Sequence, residues 1–285
     1  MKYILDYNKF LIFEKYDYSL ITGLNQSDIL IVKDDIINNL LPLFLLKEED
    51  IFFSGSSGKL KNLNDISTNV NVIIDKVKFI ENNNIEGDIS DFFKSQIKRL
   101  KYNITPIDND AFSIDWPFKD KHIDVIIHIS DNFEWIKFAR YCPNIRNRES
   151  EYIGKYREAL LSSIVQSINK KIISYNDNKD NVKEYSTLIF DRDYGVFKIH
   201  KSFSGSHGVL TKAIEVKNSK KLITSNPDKF IDILFNGIAV DDIMTFENLL
   251  DAIKSEHFKF PNKFEQIKSR FYKKLTNLNL KHIDI

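Results

Sequence analysis

The sequence predicts an α+β protein made of two domains. In the first half of the chain, short apolar segments with alternating side chains predict strands, of which residues 51–53, 68–75 and 123–129 are the clearest. From residue 132 onward, apolar residues recur at helical spacing, above all in residues 150–173. A chain of 285 residues is long enough for one or two domains with sizeable cores.

The sequence predicts three parts, with boundaries near residues 25 and 132. Residues 1–24 mix aromatic residues with Lys and Asp without a clear period and predict an N-terminal arm. Residues 25–131 predict a domain built on a mixed β-sheet with helices. Residues 132–285 predict a mainly helical C-terminal domain with a small hairpin around residues 186–199.

Helical spacing predicts two helices within the sheet-containing domain. The first begins near Ser27, which can cap it, and runs to about Leu41, before Pro42 bends or ends it. The second covers residues 85–100. The predicted buried face of the first helix consists of Ile29, Ile31, Val32, Ile36, Ile37, Leu40 and Leu41.

Composition narrows the functional classes. The net charge of +1 gives no overall basic field, so any contact with a polynucleotide must be local. The most apolar run, residues 40–46, is far shorter than the roughly 20 residues that a membrane span needs. The first six residues lack the pattern of a signal peptide, and the single cysteine, Cys142, cannot form an intramolecular disulfide. We therefore expect a cytoplasmic protein with no membrane partner.

A segment of small residues follows the first strand. Residues 55–58 read Gly55-Ser56-Ser57-Gly58. Small residues at this position let the backbone approach a ligand closely and turn into a short helix, which favours binding of a phosphate group. Taken alone, such a segment is usually a flexible turn, so its meaning depends on the strands around it.

Polar residues interrupt two of the apolar strands. Because side chains alternate along a strand, Asn69 and Asn71 lie on one face, and Val70 and Val72 lie on the other. A later strand carries Asp124 among apolar residues. Oxygen-bearing side chains are the ligands that Mg²⁺ prefers, and carboxylates are the usual ones.

Together these features resemble the nucleotidyltransferase superfamily to which DNA polymerase beta belongs. The mark of that superfamily is a Gly-Ser pair before a short helix, then an Asp-x-Asp strand, then a third carboxylate on a later strand. Gly55-Ser56, Asn69-x-Asn71 and Asp124 stand at the corresponding places. Three further segments look like small phage-encoded members of the superfamily: residues 135–143, 150–152 and 246–248.

The resemblance implies a metal-dependent transfer of a nucleoside monophosphate. An acceptor would attack the α-phosphate of a nucleoside triphosphate and release pyrophosphate, with two Mg²⁺ or Mn²⁺ ions at the site. The resemblance makes Asn69, Asn71 and Asp124 the catalytic and metal-binding positions, and residues 55–57 the nucleotide-binding loop. The nucleotide would lie in a cleft between the two domains. An RNA 3′ end, a protein or a small molecule could serve as the acceptor.

Two residues of the second domain are further candidates for nucleotide binding. Lys155 and Tyr156 open the long helix predicted at residues 150–173, near the expected cleft. There a lysine could hold the triphosphate and a tyrosine could stack on the base. The alternative is a packed tyrosine beside a solvated lysine, and the sequence does not decide between the two.

Asn at both Asp-x-Asp positions implies an inactive protein. Asn keeps the shape and one oxygen of Asp but removes a negative charge, which is a large loss beside a divalent cation. Asp75 cannot replace Asn71, because four residues of strand separate them by roughly 13 Å. Two isosteric changes with Asp124 intact favour deliberate inactivation. The competing hypothesis is a naturally catalysis-dead nucleotide-binding or scaffold protein.

Overall fold

The computed structural model describes residues 26–54, 69–119, 121–141, 153–168, 170–175, 182–206, 209–210 and 214–285. The chain divides into two compact units, residues 1–129 and residues 130–285. Helices and strands occur in both units, so the α+β class that the sequence predicts is confirmed. The predicted boundary, between residues 131 and 132, lies two residues beyond the boundary between these two units. The predicted N-terminal arm, residues 1–24, lies outside the described residues.

The first unit begins with a helix that packs its apolar stripe into the core. Helix α1 (Gln26–Leu43) buries Ile29, Val32 and Ile36. The prediction that Ile31 is buried is wrong, since its side chain is 52% exposed. Two residues beyond Ile29, the side chain points about 200° away around the helix and so leaves the buried stripe.

A hydrogen-bonded cap, rather than Pro42, ends helix α1. The N–H of Leu46 donates to the carbonyl of Leu41 at 3.0 Å, and the N–H of Leu45 donates to the carbonyl of Pro42 at 3.3 Å. This pair of bonds is the Schellman arrangement, which requires a left-handed residue. Leu45 takes that conformation with φ of 52°, although glycine is the residue that adopts it without steric cost.

Replacement of Leu45 by glycine is expected to stabilise the protein by about 0.5–1 kcal/mol, because it removes the strain of a left-handed leucine. Little burial is lost, since Leu45 is 64% exposed. Urea denaturation measures the change in the free energy of unfolding. The matched control is Leu278→Gly, which replaces another exposed leucine at a helix end but with φ of −91°. It should destabilise, and a loss of stability in both variants would contradict the strain at Leu45.

Five strands form one sheet in the first unit. They are β1 (Ile51–Ser54), β2 (Asn69–Asp75), β3 (Asn103–Asp108), β4 (Ala111–Phe118) and β5 (Lys121–Ser130), and their order in the sheet is β1-β2-β5-β4-β3. The pairs β1–β2, β3–β4 and β4–β5 are antiparallel. Strand β5 therefore lies between β2, which precedes it by more than forty residues, and its hairpin partner β4.

The strands predicted at residues 51–53, 68–75 and 123–129 are confirmed for their described residues, whereas strand β3 was missed. β3 reads Asn-Ile-Thr-Pro-Ile-Asp and is exposed at four of its six positions. It lies at the edge of the sheet, so only one of its sides pairs with another strand of that sheet. A polar edge strand that contains proline shows no apolar alternation, so the pattern on which the other strands were predicted is absent.

The helix predicted at residues 85–100 is in fact the second of two. Helix α2 (Lys76–Asn83) starts directly after β2, because the Asp75 carboxylate accepts hydrogen bonds from the N–H groups of Val77 and Lys78 at 2.9 and 3.3 Å. Helix α3 (Ile89–Arg99) begins at the cap residue Asp88. Their apolar faces join an aromatic cluster in the core formed by Phe44, Phe79, Phe93 and Phe112.

The second unit contains five described α-helices around one core. They are α4 (Phe133–Ala139), α5 (Ile153–Ile168), α6 (Pro227–Leu234), α7 (Phe246–Lys254) and α8 (Phe264–Asn277). Each contributes at least one fully buried side chain to this core: Trp135, Leu160, Leu234, Leu249 and Phe271. Helices α5 and α8 pack directly on one another.

The second unit also contains a sheet larger than the predicted hairpin. Its strands are β6 (Lys170–Tyr175), β7 (Val182–Asp191), β8 (Gly195–Ser206), β9 (Val209–Leu210), β10 (Ile214–Glu215) and β11 (Lys221–Thr224). β7 and β8 form the predicted hairpin, extended at both ends, and β9, β10 and β11 all pair with β8. The predicted helix at 150–173 is wrong at its end, because residues 170–173 belong to β6 and pair with β7.

The apolar faces of the helices are used within the two units. Of the described helices, α1 is the longest, at 18 residues. Its buried stripe packs into the core of the first unit, and its other face exposes both apolar and polar residues, namely Leu30, Ile31, Asp34, Asn38 and Asn39. In the described part of the chain, no helix combines the length and the hydropathy needed to cross a membrane.

Candidate functional site

One face of the sheet in the first unit is apolar, and the other carries polar side chains beside the apolar residues Phe52, Ile73 and Ile126. The apolar residues of β2 and β5 belong to the same core: Val70, Val72, Ile74, Ile123, Val125 and Ile127. Because side chains alternate along a strand, Asn69, Asn71 and Asp124 lie on the opposite face. β2 and β5 are hydrogen-bonded neighbours. The structure thus places the three predicted site residues on one face of two adjacent strands.

The two asparagines on β2 are hydrogen-bonded to each other. The Nδ2 amide of Asn71 donates to Oδ1 of Asn69 at 3.0 Å, and both side chains are half-buried. Asn71 lies directly opposite Ser54 of β1, a residue that is only 1% exposed. In this pair the Asn71 amide is therefore the hydrogen-bond donor, and the Asn69 oxygen is its acceptor.

Asp124 lies in a polar patch that extends onto β4. Its carboxylate is exposed and accepts a hydrogen bond from the Ser113 hydroxyl at 3.1 Å. Directly across from it is Asp115, whose carboxylate contacts Nδ1 of His122 at 3.0 Å and accepts from the Asn103 amide at 3.3 Å. The polar patch is thus held in place by hydrogen bonds that cross three strands.

Sequence reasoning missed three members of this patch. Alternation along residues 110–116 would have placed Ser113 and Asp115 on one face, and the hairpin with β5 would then have brought them beside Asp124. Asn103 had no such signal, because it belongs to the polar edge strand β3. His122 and Asp124 share a strand face by the same alternation.

The side chains at these positions do not fit a site for two divalent cations. One exposed carboxylate and two amides that bond to each other supply a single negative charge, whereas Mg²⁺ binds chiefly through carboxylates and substrate phosphates. Within the described residues, no group of three His, Cys, Asp or Glu side chains is arranged to hold a metal ion. Asp75 is engaged as the cap of α2 and does not supply the missing charge.

The predicted nucleotide-binding loop, Gly55, Ser56 and Ser57, lies outside the described residues. The segment begins directly after Ser54, which is paired with Asn71 in the sheet. The residue that precedes the loop and one of the two asparagines are therefore direct neighbours across the β1–β2 pair.

A partly buried lysine lies on the other side of β1. The ammonium of Lys33 stands 5.0 Å from the centre of the Phe53 ring, and burial lowers the pKa of this lysine. Phe53 pairs with Val72 and packs into the core. Lys33 therefore belongs to the helix-covered face of the sheet and not to the face of Asn69 and Asn71.

In the second unit, the two residues predicted to contact a nucleotide have different environments. Tyr156 is 6% exposed, and its ring packs against Phe246 and Phe271. Its hydroxyl donates to the carbonyl of Lys281 at 2.9 Å. Lys155 is exposed on the same helix. These contacts favour the packing role for Tyr156 over base stacking.

The resemblance to nucleotidyltransferases depends on the motif residues and on the order of the strands that carry them. The site residues on β2 and β5 come from segments that are distant in sequence and adjacent in the sheet. No protein-family model matches the sequence, and neither the curated proteins nor the solved structures contain a match.

Proposed function

We propose that the first unit is a nucleotidyltransferase-type domain in which Asn69, Asn71 and Asp124 stand where three metal-binding carboxylates would be. The observation that supports the proposal best is their placement on one face of two adjacent strands, with Asn71 directly opposite Ser54, the residue that precedes Gly55 in the sequence. A phosphate seat next to a set of oxygen ligands is the arrangement that nucleotidyl transfer needs.

The natural substrate in this proposal is a nucleoside triphosphate, with an RNA 3′ end, a protein or a small molecule as acceptor. The chain with Asn at both positions is inactive, since two of the three charges that would bind Mg²⁺ or Mn²⁺ are missing. In this proposal the parent sequence carries Asp at positions 69 and 71, has the same fold, and acts as a small, phage-like transferase.

Restoring the two charges tests the proposal directly. The double variant Asn69→Asp with Asn71→Asp is expected to gain transfer of label from a nucleoside triphosphate when Mg²⁺ or Mn²⁺ is present, because three carboxylates then lie on one face of two neighbouring strands. The measurement incubates each labelled nucleoside triphosphate with total cellular RNA, with protein or with small molecules and follows the label. The unchanged chain is expected to show negligible turnover.

The matched control adds the same two charges elsewhere. Asn236→Asp with Asn262→Asp changes two exposed asparagines of the second unit and should leave the protein inactive. Equal activity in the two double variants would indicate a contaminating enzyme. If the restored variant stays inert with every acceptor class, the proposal of an active parent fails.

One observation favours the alternative, a natural nucleotide-binding or scaffold protein without catalysis. The Nδ2 amide of Asn71 donates a hydrogen bond to Oδ1 of Asn69 at 3.0 Å, a contact that two ionised carboxylates could not make. This alternative predicts that the restored variant binds nucleoside triphosphates but transfers nothing. Calorimetry on the same samples separates it from loss of the binding site.

A further inference from the structure

The sequence contains a single Asn-Gly pair, Asn236–Gly237, which follows helix α6 in the second unit. Both residues are exposed. Gly237 has φ of 66°, and nothing lies within 4 Å of the position that a Cβ atom would take. Because glycine has no side chain, it hinders the approach of the preceding asparagine side chain to its backbone nitrogen least of all residues. The pair therefore has the local sequence and the exposure that intramolecular attack on the Asn236 amide requires.

The backbone of Asn236 is held in place, whereas the two groups that would react are not. The N–H of Asn236 donates to the carbonyl of His257 at 2.9 Å, and the carbonyl of Asn236 accepts from Nδ1 of His257 at 2.8 Å. In the described part of the chain, the Asn236 side chain forms no hydrogen bond and the Gly237 N–H donates to no acceptor. A donor on the Asn236 carbonyl also stabilises the negative charge that develops on this peptide group when the Gly237 nitrogen loses its proton.

We propose that Asn236 is a site of spontaneous deamidation, which the chain undergoes without an enzyme or a cofactor. The Gly237 nitrogen gives its proton to solvent and attacks Cγ of Asn236. The N–Cγ bond forms, the Cγ–Nδ2 bond breaks, and the amide nitrogen takes up a proton and leaves as ammonia. Water then opens the cyclic succinimide. Addition of water at Cγ gives aspartate, and addition at the backbone carbonyl gives isoaspartate, in which the main chain runs through the former side chain.

The isoaspartate product would change the contacts around this turn. Its free carboxylate is formed from the backbone carbonyl that His257 now contacts. Its main chain is one methylene longer, directly after Phe235, which is 2% exposed and pairs with Phe258. We therefore expect isoaspartate to weaken the pairing of Phe235 with Phe258, whereas aspartate leaves the backbone length unchanged. The modification belongs to the second unit and does not depend on the function proposed for the first.

The test incubates the full-length chain at neutral pH and physiological temperature. Peptide mapping by mass spectrometry measures the deamidated fraction at every asparagine, and enzymatic methylation of isoaspartate identifies that product. Asn236 should deamidate at least about 20-fold faster than Asn218. Asn218 is the internal control, since it is also exposed and precedes a small residue, but the N–H of Ser219 donates to the carbonyl of Val216 at 3.1 Å.

Two variants separate the causes. Gly237→Ser gives Asn236 the same following residue as Asn218, so the rate at Asn236 should fall by about fivefold. It should remain at least about twofold faster than at Asn218, because only the N–H of Ser219 is hydrogen-bonded. Asn236→Gln should remove the isoaspartate signal from this peptide. Equal rates at Asn236 and Asn218 in the unchanged chain, or an isoaspartate signal that survives Asn236→Gln, would overturn the proposal.

Discussion

Asp124→Asn, introduced into the charge-restored variant, is expected to reduce nucleotidyl transfer by at least about 100-fold. In that variant the carboxylates at positions 69, 71 and 124 would lie on one face of the neighbouring strands β2 and β5. Under the proposed mechanism, removal of the third also removes the group that would accept a proton from the acceptor hydroxyl. Nucleotide affinity is expected to survive largely, since the proposal assigns much of it to the loop at residues 55–58.

The measurement for Asp124 is a pair, turnover and affinity for the nucleoside triphosphate, each compared with the charge-restored parent. Asp115→Asn is the matched control, because Asp115 lies directly across β4–β5 from Asp124 and its loss removes an equal charge from the same face. Activity within about tenfold of the parent, a barrier change of only ~1.4 kcal/mol, would remove Asp124 from the mechanism. An equal loss in the Asp115 variant would mean that the charge of the whole face matters, rather than that of Asp124.

Gly195→Ala is expected to destabilise the second unit by about 3 kcal/mol or more, because both space and backbone conformation exclude a side chain there. Gly195 has φ of 118°, a value that L residues rarely adopt, and a Cβ atom would lie 2.3 Å from the backbone oxygen of Thr224. Thr224 belongs to β11, which pairs with β8 beside this turn. Backbone must therefore move to accept the methyl group.

Urea denaturation of two glycine variants separates the causes. Gly237 also has a positive φ, 66°, but nothing lies within 4 Å of the site of its Cβ. Gly237→Ala should therefore cost only about 1 kcal/mol, the penalty for a left-handed alanine. If Gly195→Ala costs no more than Gly237→Ala, the close approach of β11 to the turn is not what constrains this glycine.

Periodicity predicted the elements that pack one face against a core, and it failed where local hydrogen bonds decide. Helix α1 and strands β1, β2 and β5 follow their apolar patterns closely. Helix α2 was missed because it begins without a loop, through the cap that the Asp75 side chain supplies at the end of β2. Alternation alone does not show whether a strand that ends in Asp turns into a loop or directly into a helix.

The candidate site was predictable in part from the strands that carry it. Alternation is enough to place Asn69 and Asn71 on one face. That β2 and β5 are neighbours does not follow from the sequence, since β3 and β4 lie between them in the chain and on the outer side of β5 in the sheet. For Tyr156, a packed ring and a stacking ring have the same pattern, so only its contacts with Phe246 and Phe271 distinguish them.

The hydrogen bond between Asn71 and Asn69 also has a consequence for how the fold depends on its surroundings. One amide can donate a hydrogen bond to another, so the bond between Asn71 and Asn69 forms without a cation. Two carboxylates at the same spacing can only accept, and without a counterion they would repel each other. We expect that a protein with Asp at both positions would need cations from solution to offset this repulsion. The two asparagines carry no charge, so we expect that chelating agents do not destabilise β2 in the present chain.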